Sequence, residues 1–400
     1  MRRFGPLAAV ILFTGLLFNE YVLAFLFSPD GIITGQARIA IRLLDVGLVA
    51  LLMVVVLRRV RPPERLLAAV RRWPRATSLA IGMAVSVGLV LTVELGFHAW
   101  NTIPARRNPA PVVTYSAPLW QPGVTSRSTK MNDGVTIYDV TYHRDSHGAR
   151  ITPNSPTEPT GRDLVFFGGS FTFGQGVEDD ETLPNAVARR VPAWRITNFG
   201  FLGHGPAHML QRIEAQETME LFRGQTPHAV YVFIPHHVRR TIGSMRIATT
   251  WARDFPCYEI DDGGALVHLG TMTEGRPRLS RWYRWLAKEP ILKCFNVDIP
   301  ARLGPGDYAL TTRVILESRS RWLGAFEDAS FTVVLFPVRQ DEMQAAARMR
   351  IALESQGIDV LDYSTKFGMR EDVWIPGDSH PNALAYDTVA DWLVRDLALK

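Results

Sequence analysis

Residues 165–176 read Val-Phe-Phe-Gly-Gly-Ser170-Phe-Thr-Phe-Gly-Gln-Gly. An apolar run meets two glycines and then a serine, the pattern of a buried strand that ends in a tight turn and carries a hydroxyl past its carboxyl end. Near the other end of the chain, residues 376–382 read Pro-Gly-Asp378-Ser-His380-Pro-Asn. This second stretch offers a carboxylate and an imidazole two positions apart. Together the two supply a nucleophile, a base and an orienting acid, the groups that ester chemistry requires. Each also has a plainer reading when taken singly. Ser170 would serve as a helix N-cap after a strand, Asp378 as the cap of a last helix, and His380 beside Pro381 as the opening of that helix.

Working outward, strands and helices alternate from Arg162 onward. Short apolar runs at 163–167, 194–198, 229–234, 331–336 and 359–363 read as strands. Stretches at 183–190, 207–222, 311–327, 341–356 and 383–399 read as helices, the last with a stripe at Leu384, Val389, Trp392, Leu393 and Leu397. Such alternation predicts an α/β fold, a parallel sheet of about five strands covered on both faces. Ligands bind such a sheet beyond the carboxyl ends of its strands. Ser170 follows the first strand, Gly200 the second, His236 and His237 the third, and Asp378 and His380 the fifth, so distant segments converge on one edge. The glycines at 200, 203 and 205 equally suit a flexible strand-to-helix turn.

Ahead of this unit, residues 101–125 are rich in Pro and Ser and read as a linker. Residues 134–143 form a β-rich run followed by a turn signal at Asp145–Gly148, which predicts a hairpin ended by 153–161. Residues 241–305 interrupt the alternation with a hairpin signature around Cys257–His268 and an aromatic stretch, Arg281-Trp-Tyr-Arg-Trp285. We read them as an insertion that overlies the site. Cys257 and Cys294 are the chain's two cysteines. An even count in an oxidising compartment favours a disulfide between them, with two buried thiols as the alternative.

The chain has 400 residues and a formal net charge of +5. Residues 1–100 hold 11 Arg against 5 acids, a net +6, so the remainder is close to neutral at −1. The basic excess is therefore no nucleic-acid signal. It brackets three apolar stretches at 4–27, 39–57 and 78–100, each long enough to cross a hydrocarbon core of about 20 helical residues. Arg2 and Arg3 precede the first stretch, and seven Arg fill residues 58–75 between the second and third. The positive-inside rule then predicts a three-span anchor in the cytoplasmic membrane, with residues 101–400 on the extracytoplasmic side. A signal peptide is the other reading of the first stretch, but two further stretches follow it.

At this point the chain resembles the SGNH/GDSL hydrolase superfamily over roughly residues 160–400. The opening motif is matched by Gly168-Gly169-Ser170 with Gly174, the glycine motif by Asn198-Phe-Gly200, and the closing motif by Asp378 and His380. Two departures stand out. Gly169 occupies the place of the usual Asp, and the Asn of the third motif is absent from Phe233-Ile-Pro-His236-His237, where His236 takes the nearest matching place. The Asp-to-His spacing is also one residue shorter than is common.

The resemblance implies a three-layer flavodoxin-like domain in which Ser170 is the nucleophile, His380 the base and Asp378 its orienter. It further implies that the amides of Ser170 and Gly200 face the developing oxyanion, with His236 as third donor and His237 on the opposite side. It implies no cofactor. Five of the ten histidines map to this edge, which invites a metal site, but no cysteine or carboxylate cluster joins them and the resemblance needs no metal.

The expected function is a membrane-anchored ester hydrolase or O-acyltransferase acting on acyl esters of envelope or exported glycans. Three spans are too few to carry an acyl donor across a bilayer unaided. Hydrolysis, or transfer with a multi-span membrane acyltransferase partner, therefore both stay open. The alternative is an inactive glycan-binding or assembly component of an envelope polysaccharide pathway.

Overall fold

Strands β4 (Arg162–Gly168), β5 (Arg195–Asn198), β6 (Thr226–Phe233), β9 (Ser330–Leu335) and β10 (Asp359–Asp362) form one parallel sheet in the order β10-β9-β6-β4-β5. The structure is a computed structural model that describes residues 41, 47, 48, 72, 112–117, 121–289, 292 and 297–399. The central strands are nearly continuous apolar runs because both faces of the sheet are covered. On one face the helices Leu183–Arg190 and Ala383–Asp396 pack over Leu164, Phe166, Val230, Val232 and Val334. On the other, Pro206–Glu214, Pro305–Ala325 and Met343–Glu354 cover Val165, Phe167, Tyr231, Phe233 and Leu335. The strand order reverses direction between β4 and β6, and a crevice opens at such a switch point.

The expected strands and helices fall where the sequence places them, with one exception. The 207–222 stretch is two helices, Pro206–Glu214 and Gln216–Leu221, separated at Ala215, which is extended (φ −71°, ψ 123°).

The segment before the sheet differs more. β1 (Val112–Tyr115), β2 (Thr125–Asn132) and β3 (Val135–His143) form an antiparallel sheet, so part of the expected linker is strand. The partner of the 134–143 run precedes it. The Asp133-Gly134 turn has both residues at positive φ, 50° and 78°, as a two-residue hairpin loop demands. The later turn at Asp145–Gly148 closes only a single bridge, Arg144 with Arg150. Tyr138, Val140 and Tyr142 bury themselves against Phe173, which lies three residues after Ser170.

One charged residue ties these layers together. Arg150 is 1% exposed. Its Nε donates to Asp179 Oδ1 at 2.8 Å, its Nη1 to the carbonyls of Phe173 and Gly174 at 2.6 Å each, and its Nη2 to the carbonyl of Val177 at 2.8 Å. The guanidinium also lies over the rings of Tyr142 and Phe173, 4.6 and 4.7 Å from their centroids. Arg150→Ala leaves Asp179 short of a partner and three carbonyls unsatisfied. It should lower stability by about 3–5 kcal/mol, read as a fall in the urea midpoint. Arg150→Lys should recover only part, since an ammonium cannot fork to four acceptors.

The chain divides into two compact units, residues 108–280 with 303–400, and residues 1–107 with 281–302. The expected insertion is therefore split. Its β7–β8 hairpin (Pro256–Ile260, Leu266–Thr271) belongs to the first unit, and residues 281–302 belong to the second. The three apolar N-terminal stretches lie almost wholly outside the described residues. Among the described residues no helix is long and apolar enough to cross a membrane.

Candidate active site

β4 ends where the strand order reverses, and its last residues have no room for side chains. A Cβ on Gly168, which has φ +156°, would meet the Val232 carbonyl at 2.9 Å. A Cβ on Gly169 would meet Arg240 Nη1 at 2.5 Å, His237 Nε2 at 2.8 Å and the His204 carbonyl at 2.9 Å. The chain can turn this sharply against its neighbours only with glycine in both places. The helix Ser170–Phe173 follows at once, closed by Gly174 in the left-handed region.

Ser170 is 4% exposed, and its hydroxyl lies 2.9 Å from His380 Nε2. His380 Nδ1 lies 2.6 Å from Asp378 Oδ1, which also accepts the His380 backbone N–H at 3.0 Å. The three residues form a relay although Asp378 and His380 have only Ser379 between them. A tight turn makes the short spacing work. The Asp378 amide donates to the Ile375 carbonyl, the Ile375 amide donates to the His380 carbonyl, and Gly377 takes φ +76°. The last helix is capped instead by Asn382, whose side chain accepts from the Ala385 amide at 3.1 Å. The capping readings of Asp378 and His380 therefore fall away. The His380 ring rests on Phe171, with centroids 5.5 Å apart.

The second oxygen of Asp378 accepts from Lys130 Nζ at 2.8 Å, a partner the sequence did not reveal. Burial pushes the Asp378 carboxyl up. The hydrogen bond and charge of His380, joined by the Lys130 ammonium, outweigh burial and hold it well below the usual carboxylate range. The carboxylate is thus ionised wherever the imidazole can act as a base.

The residues expected around the oxyanion need correction. The Gly200 amide donates to Asn198 Oδ1 at 2.9 Å, so it is engaged within its own turn. Gly200 nonetheless packs on the serine helix, since a Cβ there would stand 2.5 Å from the Phe173 nitrogen. His236 is turned out: its side chain is 62% exposed and its Nε2 lies 3.2 Å from Glu342 Oε1. His237 is the inward residue, 1% exposed. The orientations expected for the two histidines are exchanged because β6 gives way to the helix His236–Ile242 at Pro235, which alters the direction of successive side chains.

His237 Nδ1 lies 2.7 Å from the Tyr231 hydroxyl, and its Nε2 is buried without a partner among the described residues. Burial, with the nearby charge of Arg240, holds this imidazole well below its ordinary value, so it is neutral. Burial likewise raises the Tyr231 hydroxyl well above its ordinary value, so it keeps its proton. Arg240 itself is held against the turn, donating from Nη1 to the His204 carbonyl at 2.6 Å, and burial lowers it to about 10.

No family model matches the chain, and no curated protein matches it. Some solved structures do. This chain is similar to G-D-S-L lipolytic proteins. One, from Veillonella parvula, shares 13% identity over 59% of this chain and 97% of its own, with a TM-score of 0.34. Another, from Desulfitobacterium hafniense and titled as putative, shares 12% over 58% and 98%, with a TM-score of 0.32. A carbohydrate esterase whose title describes divergent catalytic and non-catalytic binding functions shares 11% over 72% and 95%, with a TM-score of 0.31.

The expected Cys257–Cys294 pairing falls partly outside the described residues. Cys257 is a buried free thiol at the start of β7, and burial raises it further from ionisation. Cys294 lies outside the described residues. His204 and His208 stack on each other at 4.0 Å. Burial lowers both from their ordinary values, so they pack as neutral rings.

Proposed function

We propose that this protein is a serine ester hydrolase or O-acyltransferase of the SGNH type, anchored in the cytoplasmic membrane and acting on its outer side. The observation that carries the proposal is the continuous relay from Ser170 Oγ through His380 to Asp378, at 2.9 and 2.6 Å. Ser170 attacks the acyl carbon while His380 Nε2 takes its proton. The tetrahedral intermediate collapses when that proton passes to the departing alkoxide, leaving the acyl group on Ser170. Water, or an acceptor hydroxyl, then repeats the two steps and frees the serine. The choice between water and an acceptor separates hydrolysis from transfer. An acyl ester of an envelope or exported glycan is the substrate class we propose, with a multi-span membrane acyltransferase as the partner for transfer.

The test is turnover of p-nitrophenyl acetate, and labelling by a fluorophosphonate, by the full chain purified in detergent. A chain that neither turns over the ester nor takes the label would be a binding module instead. The topology has its own test. Periplasmic-type reporters fused after residue 400 should be active, and those fused near residue 66 inactive. The reverse pattern would overturn the orientation drawn from the arginines.

A further inference from the structure

Lys130 stands on the hairpin that precedes the main sheet, 248 residues before the carboxylate it contacts. Three observations place it there by construction. Ser126, Ser128 and Lys130 share the inward face of β2, the two serines being fully buried. The β2–β3 register shifts between Lys130 and Met131, and a bulge of this kind re-aims a side chain. Ile137, skipped by that shift, lies against the Asp378 turn: a Cβ on Gly377 would meet its Cδ1 at 2.8 Å.

We infer that Lys130 is a positioning residue of the proposed relay, fixing the free oxygen of Asp378 and tuning the charge felt by His380. The inference rests on the reading of Ser170, His380 and Asp378 as the catalytic array.

The Lys130 side chain is 15% exposed and that of Asp378 is 1% exposed, so the contact is shielded from solvent. With one oxygen on His380 Nδ1 and the other on Lys130 Nζ, the carboxylate cannot rotate away from the imidazole. The ammonium also offsets part of the carboxylate's charge. An imidazolium beside a bare carboxylate is strongly favoured, and a base that stays protonated cannot accept the serine proton. Lys130 thus shares the Asp378 charge with His380 at the point where the imidazole must accept the serine proton. The other titratable groups facing Asp378 are Tyr138 from β3 and Tyr386 from the last helix, and burial raises both hydroxyls away from ionisation. Among the described residues Lys130 is therefore the cation in this cluster besides any protonated His380.

The experiment is the pH dependence of kcat/KM for p-nitrophenyl acetate with the full chain in detergent. Lys130→Met should move the acid limb upward by roughly one pH unit and lower turnover at neutral pH about tenfold. Lys130→Gln keeps an N–H for Asp378 without the charge. It should move the limb as Met does while losing less turnover on the alkaline plateau. Lys130→Arg should restore the limb. An unmoved limb in both neutral variants, with Ser170→Ala inactive, overturns the role of Lys130 and leaves the catalytic reading intact. Turnover that survives in Ser170→Ala removes the catalytic reading and this role together.

Discussion

Ser170→Ala should abolish ester turnover and fluorophosphonate labelling, a loss on the order of 10⁵- to 10⁶-fold in kcat, as serine–histidine relays show when the nucleophile is removed. The fold should be untouched. The side chain is small, it sits in the first turn of a four-residue helix, and among the described residues its hydroxyl has one hydrogen-bond partner, His380 Nε2. The urea midpoint should therefore match that of the parent chain. His380→Ala should cost nearly as much, because without a base the hydroxyl is a weak nucleophile. Asp378→Asn should cost less, about 10⁴-fold, because it removes the orienting charge and leaves the other two groups in place. Full turnover in Ser170→Ala would remove the assignment. An Asp378 loss equal to that of Ser170 would mean that the carboxylate does more than orient, which the Lys130 contact makes worth measuring.

The parts of this site that were legible in the sequence are those with local signatures. β4 announces itself by an apolar run ending at two glycines, and the Asp378 turn by Pro-Gly followed by an acid and an imidazole. Lys130 had no such signal. β2 reads Thr-Ser-Arg-Ser-Thr-Lys-Met-Asn, without the apolar alternation that marks a strand, because its inward face meets polar groups. Its partner was legible, and so was the Asp133-Gly134 dipeptide, the strongest short hairpin signal, which should have pointed back toward 125–132. The break at Ala215 has no local signature, since alanine is the best helix former and the interruption arises in packing.

Gly169 and His237, far apart in the sequence, meet at one place in the fold. Position 169 cannot carry a side chain because His237 Nε2, Arg240 Nη1 and the His204 carbonyl already occupy that volume. The His237 ring thus reaches across to the turn that follows β4 and leaves it no room for a side chain at 169. From sequence alone the glycine at 169 and the histidine at 237 look unrelated.

We propose His237, rather than His236, as the side chain that meets charge developing on the substrate; its loss should then lower kcat about 100-fold with little change in KM. The tautomer decides whether it can. If the Tyr231 hydroxyl donates to Nδ1, the ring carries its proton on Nε2, and a single buried donor is left open against the turn at Gly169. If Nδ1 donates instead, the hydroxyl hydrogen and the Nε2 lone pair are both left without partners. Buried polar groups are rarely left unsatisfied, so the first assignment is the better one. Tyr231→Phe should accordingly mimic part of the His237→Ala loss, since the ring would be free to place its proton on either nitrogen. The Ser170 amide, at the first turn of its helix, has no intrahelical acceptor and supplies a second donor. The Gly200 amide would join only by releasing Asn198 Oδ1. Gly169→Ala should harm turnover through the same ring, since its methyl would meet Nε2 at 2.8 Å. His236→Ala should leave kcat close to that of the parent, because that side chain faces solvent and Glu342. The comparison of the two histidine variants is the measurement that matters. A large loss in His236→Ala with none in His237→Ala would return the donor to the position that the motif alone suggests, and would mean that the orphaned Nε2 serves packing of the turn rather than catalysis.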